Sequence, residues 1–103
     1  MNVLAMRAKA GEAEGFLKIL ANRRRLMIVC ELLRDERSVG ELAVAVGLSQ
    51  SALSQHLARL RRGRLVATRR ETQTIYYSLA DPGVVQVVKA LYDRFCRPSR
   101  AKR

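Results

Sequence analysis

The sequence predicts a mainly α-helical fold with one small β-hairpin, and three observations carry that prediction. Apolar residues recur at helical spacing in five separate stretches between residues 12 and 96. Serine, asparagine, aspartate and glycine stand where those stretches start and stop. Only one region, around residues 65–79, sets β-branched and aromatic residues on both sides of a polar tip. A chain of 103 residues has room for one domain and one modest core. The boundaries expected are a mobile N-terminal segment at 1–11, the folded domain at 12–97 and a basic mobile tail at 98–103.

The first helix, expected over residues 12–21, puts Phe16, Leu17, Ile19 and Leu20 on one side. Asn22 caps a second helix in which Leu26, Met27, Ile28, Val29, Cys30, Leu32 and Leu33 leave almost no polar face. A helix of that kind belongs at the centre of a domain. After a polar break at 35–37, Ser38 and Glu41 form a capping box ahead of the stripe Val39, Leu42 and Val46. Gly47 ends that helix and Leu48 plugs the turn. Ser49 caps the next, whose Leu53, Leu57 and Leu60 face inward. Two short helices joined by a glycine-containing turn make a helix-turn-helix.

The runs 65–68 and 74–79, around a tip at 69–73, then read as a hairpin. A lone hairpin is not stable, so it must lean on the helices as a wing. Asp81 and Pro82 open the last helix, where Val84, Val88, Leu91 and Phe95 are flanked by Val85, Tyr92 and Cys96. So short a chain cannot bury all of that face. The surplus, with the stripe on the first helix, predicts a surface for a second copy. The whole is a winged helix-turn-helix, expected as a homodimer through its first and last helices.

The formal charge is +11, and 16 of the 20 basic residues are arginine. Such an excess promises an anionic partner, but charge alone does not separate DNA from RNA or an acidic membrane surface. Arrangement does. Gln50, Ser51, Ser54 and Gln55 fall opposite the buried leucines, near the start of the second helix of the pair. Side chains of that size reach base edges or phosphates from a helix laid in the major groove, and glutamine suits a bidentate contact with adenine. On an isolated helix they would be ordinary solvated residues; their place beside an arginine cluster favours DNA. Arg59, Arg61, Arg62, Arg64, Arg69 and Arg70 put six guanidinium groups into twelve residues. Arg59, Arg62, Arg69 and Arg70 are the expected backbone contacts, and a wing arginine can enter the minor groove. His56, the one histidine, is expected half-buried or beside the duplex backbone. No second His or paired acid accompanies it, so no metal role is expected.

The segments Ala21-Asn22 through Arg25-Leu26, Ser38-Val39-Gly40-Glu41-Leu42, Gly47-Leu48-Ser49-Gln50-Ser51-Ala52-Leu53-Ser54-Gln55-His56-Leu57 and Gln73-Thr74-Ile75-Tyr76-Tyr77 resemble the ArsR (SmtB) family of bacterial winged-helix repressors. The likeness covers roughly residues 14–97. It implies a homodimer, joined by the first and last helices, that binds a double-stranded operator of imperfect two-fold symmetry and releases it on sensing an inducer. Two positions depart from the pattern. Many members place glycine immediately before the first wing strand, where this chain has Arg64 after an early Gly63, and many have glycine at the wing tip, where it has Thr72.

Metal-sensing members carry Cys-x-Cys beside the third helix or His and Asp ligands on the last. Here Val39-Gly40-Glu41-Leu42 holds no cysteine and the last helix no histidine, so no metal and no other cofactor is expected. What remains is Cys30 and Cys96, 66 positions apart, one in the second helix and one at the end of the last. This placement resembles the thiol-based, persulfide-sensing branch of the family. The resemblance implies that a reactive sulfur species modifies one thiolate and the other closes a di- or polysulfide link. Read without it, Cys30 among Ile28, Val29 and Leu32 fits a small buried hydrophobe, whereas Cys96, with Arg94 and Arg97 nearby in sequence, is expected to be the readier nucleophile. The alternatives are a disulfide switch answering peroxide and a ligand-independent repressor with structural cysteines.

Enzyme chemistry finds no foothold: there is one His, no acid pair beside it and no glycine-rich phosphate loop. An architectural or RNA-binding protein would need no polar reading face such as Gln50 and Gln55 supply. No apolar run approaches the roughly 20 residues of a membrane span. The first eleven residues show no signal-peptide pattern, so no membrane partner and a cytoplasmic place are expected.

Overall fold

The computed structural model describes residues 1–97. Its elements run α1 (Val3–Leu20), α2 (Arg23–Arg34), β1 (Arg37–Ser38), α3 (Val39–Val46), α4 (Gln50–Arg62), β2 (Val66–Glu71), β3 (Thr74–Leu79) and α5 (Pro82–Phe95). The strands form an antiparallel sheet in the order β1-β3-β2. This is a winged helix-turn-helix. The segment 98–103, expected as a basic tail, lies outside the described residues.

Four helices start at side chains the sequence marks. Asn22 Oδ1 accepts from the amides of Arg24 and Arg25, both at 3.0 Å. Ser38 and Glu41 satisfy each other's backbone amides at 3.2 and 2.9 Å, closing the capping box. Ser49 Oγ accepts from Ala52 at 3.2 Å, and Asp81 from Gly83 at 2.8 Å with Pro82 at the first helical position. Gly47 closes α3 with φ 67°, the left-handed backbone that glycine adopts without steric cost.

Three expectations are corrected. The first helix begins at Val3 rather than near residue 12, so most of the segment expected to be mobile is the first half of α1. Asn2 caps it by accepting from Ala5 at 3.1 Å, and Ala5, Met6, Ala8, Lys9 and Ala10 are strong helix formers. That half buries nothing, and its large apolar residues, Val3, Leu4 and Met6, are too few to mark a helical period. The wing tip is shorter than residues 69–73. Both strands extend until Glu71 pairs with Thr74, leaving Thr72 and Gln73 in the turn. Finally, the break at 35–37 contains a strand. Arg37 pairs with Tyr77 and Ser38 with Tyr76, and two residues are too few to show alternation.

The two departures from the family's glycine pattern fall on the two non-glycine residues that have left-handed backbone among the described residues, Arg64 at φ 64° and Thr72 at φ 55°. Gly63 itself keeps an ordinary φ of −81°. It serves packing instead, because a Cβ there would run into Cδ1 of Ile19 from α1.

The core is built from Ile28 and Val29 of α2, Leu42 of α3, Leu53, Leu57 and Leu60 of α4, Leu65, and Val84 of α5, all fully buried. Among the described residues, no polar or charged side chain is buried in this core. Because three leucines of α4 face this core, the phase of the helix is fixed and its opposite face is left to solvent. Apolar side chains also remain uncovered on the two end helices: Leu4 and Leu17 on α1, and Tyr92 at 58% and Phe95 at 70% exposure on α5. No helix among the described residues is long and apolar enough to cross a membrane.

Candidate DNA interface and thiol pair

Gln50, Ser51, Ser54 and Gln55 are all exposed on α4, on the side away from Leu53, Leu57 and Leu60. Arg59 and Arg62 continue that exposed surface toward the helix end, and Arg70 stands exposed on β2. None of these three arginines makes an ion pair among the described residues. Unneutralised cations around a polar helix face are what a polyanion of regular spacing requires. The first turn of α4 adds its own unpaired amides and positive dipole end.

His56 is half-buried, as expected, and lies against Arg25 of α2. Arg25 Nε donates to the carbonyl of Ile19 at 2.6 Å and Nη2 to that of Lys18 at 3.4 Å. Its Nη1 lies 3.4 Å from His56 Nδ1. A guanidinium has no acceptor, so Nδ1 must accept and the ring proton must sit on Nε2. Burial, followed by the charges of Arg25 and Arg24, pushes the His56 imidazole below its ordinary range. The neutral ring therefore ties the end of α1 to the face of α4. Arg25 is itself pushed down by burial and then by Arg59. Arg24, Arg25 and Arg59 thus gather positive charge around the neutral His56 ring at the side of α4.

Arg69 is placed differently from the other arginines. Its Nε and Nη2 each donate to a carboxylate oxygen of Glu36 at 2.7 Å, and Nη1 reaches Glu71 at 3.2 Å. The guanidinium also lies 4.6 Å from the centre of the Tyr76 ring. Sequence reasoning took Glu36 as part of a polar break. Its partner stands 33 positions away, and no local pattern could have marked it.

Cys30 is half-buried on α2 and Cys96 exposed at the C-cap of α5. Both are free thiols. Burial pushes the Cys30 thiol up, and the charge of a Cys96 thiolate adds to that rise, ahead of Glu31. The helices that carry the two thiols, α2 and α5, are in contact. The arginines that flank Cys96 in sequence are engaged elsewhere: Arg97 lies 3.6 Å from Asp93, and Arg94 stacks on Phe95 at 4.7 Å. Among the described residues, no group of three or more His, Cys, Asp or Glu could hold a metal ion.

Residues 22–68 match the family described as bacterial regulatory protein, arsR family. The chain is 47% identical over 100 residues to the transcriptional activator HlyU of Vibrio cholerae, covering 97% of this chain and 93% of that one. The crystal structure of the transcriptional repressor BigR from Xylella fastidiosa superposes with a TM-score of 0.90 at 42% identity, covering 95% of this chain and all of that one. The homodimeric winged helix-turn-helix DNA-binding domain of Mb0332 from Mycobacterium bovis gives 0.77 at 33% identity, covering 85% and 82%.

Proposed function

Because the chain belongs to the ArsR family of bacterial regulatory proteins, we propose that it is a dimeric transcriptional repressor whose grip on its operator is released through Cys30 and Cys96. Gln50, Ser51, Ser54 and Gln55 read base edges from α4 in the major groove. His56, Arg59, Arg62 and Arg70 hold the flanking phosphates; Arg69 stands on the same wing with its guanidinium engaged by Glu36. Two subunits, joined through the uncovered apolar faces of α1 and α5, present two such helices to successive turns of the duplex.

The observation that carries the switch is the thiol pair: one exposed sulfur and one half-buried sulfur, on two helices in contact. Exposed Cys96 attacks the outer sulfur of a persulfide such as glutathione persulfide. Glutathione leaves as its thiolate and takes a proton, and Cys96 is left as a persulfide. The Cys30 thiolate attacks the inner sulfur of that group, hydrosulfide leaves, and a disulfide closes. Where both cysteines carry a persulfide, the outer sulfur of one attacks the inner sulfur of the other, with the same leaving group and a trisulfide product. In either case two thiols are oxidised and a sulfane sulfur is reduced to hydrosulfide. The longer chain bridges thiols too far apart for an unstrained disulfide. Closure pulls the end of α5 against α2, which shifts the dimer face and the spacing of the two reading helices.

Mass spectrometry of the glutathione persulfide-treated protein, paired with operator titration, tests this. The expected product lacks two hydrogens, or gains one sulfur and lacks two hydrogens, and binds operator at least about ten-fold more weakly. Cys30→Ser stops at an open persulfide and keeps its affinity. An unmodified mass with unchanged affinity overturns the sulfur chemistry and leaves the DNA-binding reading standing.

A further inference from the structure

We propose that Arg69 and Glu36 form a latch that sets the angle of the wing, so that Arg69 is a positioning residue and Arg70 beside it is the wing's phosphate ligand. This rests on the DNA-binding reading above and refines it.

The latch spans the sheet from edge to edge. Arg69 belongs to β2, Tyr76 to the central strand β3, and Glu36 immediately precedes β1. Tyr76 is the cross-strand partner of both Arg69 and Ser38, so the ring beneath the guanidinium sits at the middle of all three strands. Two parallel hydrogen bonds of 2.7 Å to one carboxylate make the fork geometry that holds direction as well as charge. Glu71 supplies a third contact and the aromatic face a fourth. Isolated surface ion pairs contribute little, but bidentate pairs within a network are the exception. Glu36 also leads directly into β1 and the Ser38 cap of α3. The latch therefore ties the distal part of the wing to the start of the helix-turn-helix, adding to the anchorage that buried Val66 and the β1–β3 pairing give its base.

The geometry also argues against a phosphate role for Arg69. Its charge is already matched by two carboxylates, and a phosphate would have to displace both. Successive residues on a strand point to opposite faces, so Arg70 projects to the other side of the wing from Arg69. Arg70 is exposed and makes no ion pair among the described residues. Of two adjacent arginines, one is spent on structure and the other is left with an unanswered charge.

Salt-dependent titration separates the two roles, because each phosphate contact contributes about one unit to the slope of log affinity against log salt. The protein would be titrated onto an operator fragment recovered by selection from genomic DNA, as wild type and as Glu36→Gln, Arg69→Gln and Arg70→Gln. Glu36→Gln removes a negative charge, so on charge alone it would tighten binding. The latch predicts the reverse: Glu36→Gln and Arg69→Gln each weaken binding by roughly three- to ten-fold with the slope unchanged. The double variant is no weaker than either single one, since the two act as a unit. Arg70→Gln lowers the slope by about one. Tighter binding by Glu36→Gln, or a slope reduced by about one in Arg69→Gln, overturns the latch while wild-type binding keeps the regulator reading intact. A wild type that selects no fragment overturns that reading and the latch with it.

Discussion

Thr72 and Arg64 occupy a backbone region in which the Cβ of an L-residue crowds the neighbouring carbonyl, at about 1–2 kcal/mol each. A β-branched residue is the less suited of the two. Replacing either with glycine relieves that crowding but gives the unfolded chain more freedom, so the net gain is smaller. Thr72→Gly is expected to raise unfolding stability by about 0.5–1 kcal/mol in chemical denaturation, with Arg64→Gly similar; a loss in either contradicts the strain. His56 carries a second prediction at this scale. Its folded value lies below the ordinary imidazole value of 6.5, because burial and the charges of Arg25 and Arg24 oppose protonation. Between the two values the unfolded chain binds a proton that the folded chain refuses. Stability therefore falls as pH is lowered through that window, and this contribution levels off below the folded value. Denaturation at about pH 7.5 and about pH 5.5 should show wild type losing more stability on acidification than His56→Gln. Equal losses would mean that His56 is not the group responsible.

At the scale of elements, Gly63 shows how a helix end and a neighbouring helix depend on one another. Gly63→Ala drives a methyl into Ile19 and is expected to cost about 1–3 kcal/mol, partly recovered by Ile19→Val; a neutral Gly63→Ala would contradict the close approach. Helix starts were legible in the sequence because a cap is a local device: Asn22, Ser38, Ser49 and Asp81 each bond an amide two or three residues on. The polar face of α4 was legible for a related reason, since three leucines fix its phase. The start of α1 was not, because its large apolar residues, Val3, Leu4 and Met6, are too few and too close together to mark a helical period. Strand β1 was hidden by its length and the wing tip by its arginines, which read as turn until Tyr76 is seen beneath Arg69. In the candidate site, the exposed residues of α4 emerged from local pattern. Arg25 and Glu36 did not, since their partners stand 31 and 33 positions along the chain.

Across the whole molecule, the densest run of exposed arginine, Arg59, Arg61, Arg62, Arg64, Arg69 and Arg70, lies on α4 and the wing. Leu4 and Leu17 stand uncovered on α1 and Tyr92 and Phe95 on α5. A single copy leaves Tyr92 and Phe95 in water, and the proposed dimer would cover them. Tyr92→Ser with Phe95→Ser is expected to shift sedimentation at micromolar concentration from dimer to monomer and to weaken operator binding by at least about ten-fold. A dimer unchanged by both substitutions would place the interface elsewhere. The paired reading helices of such a dimer are what every later step acts upon, including the thiol switch and the wing latch. Their most direct test is a competition titration of the reduced protein at physiological ionic strength, in which genomic fragments compete with random duplex. The account predicts one or a few fragments retained at least about a thousand-fold more tightly than random duplex, with that preference lost in Gln50→Ala/Gln55→Ala. Equal retention of every fragment would contradict it.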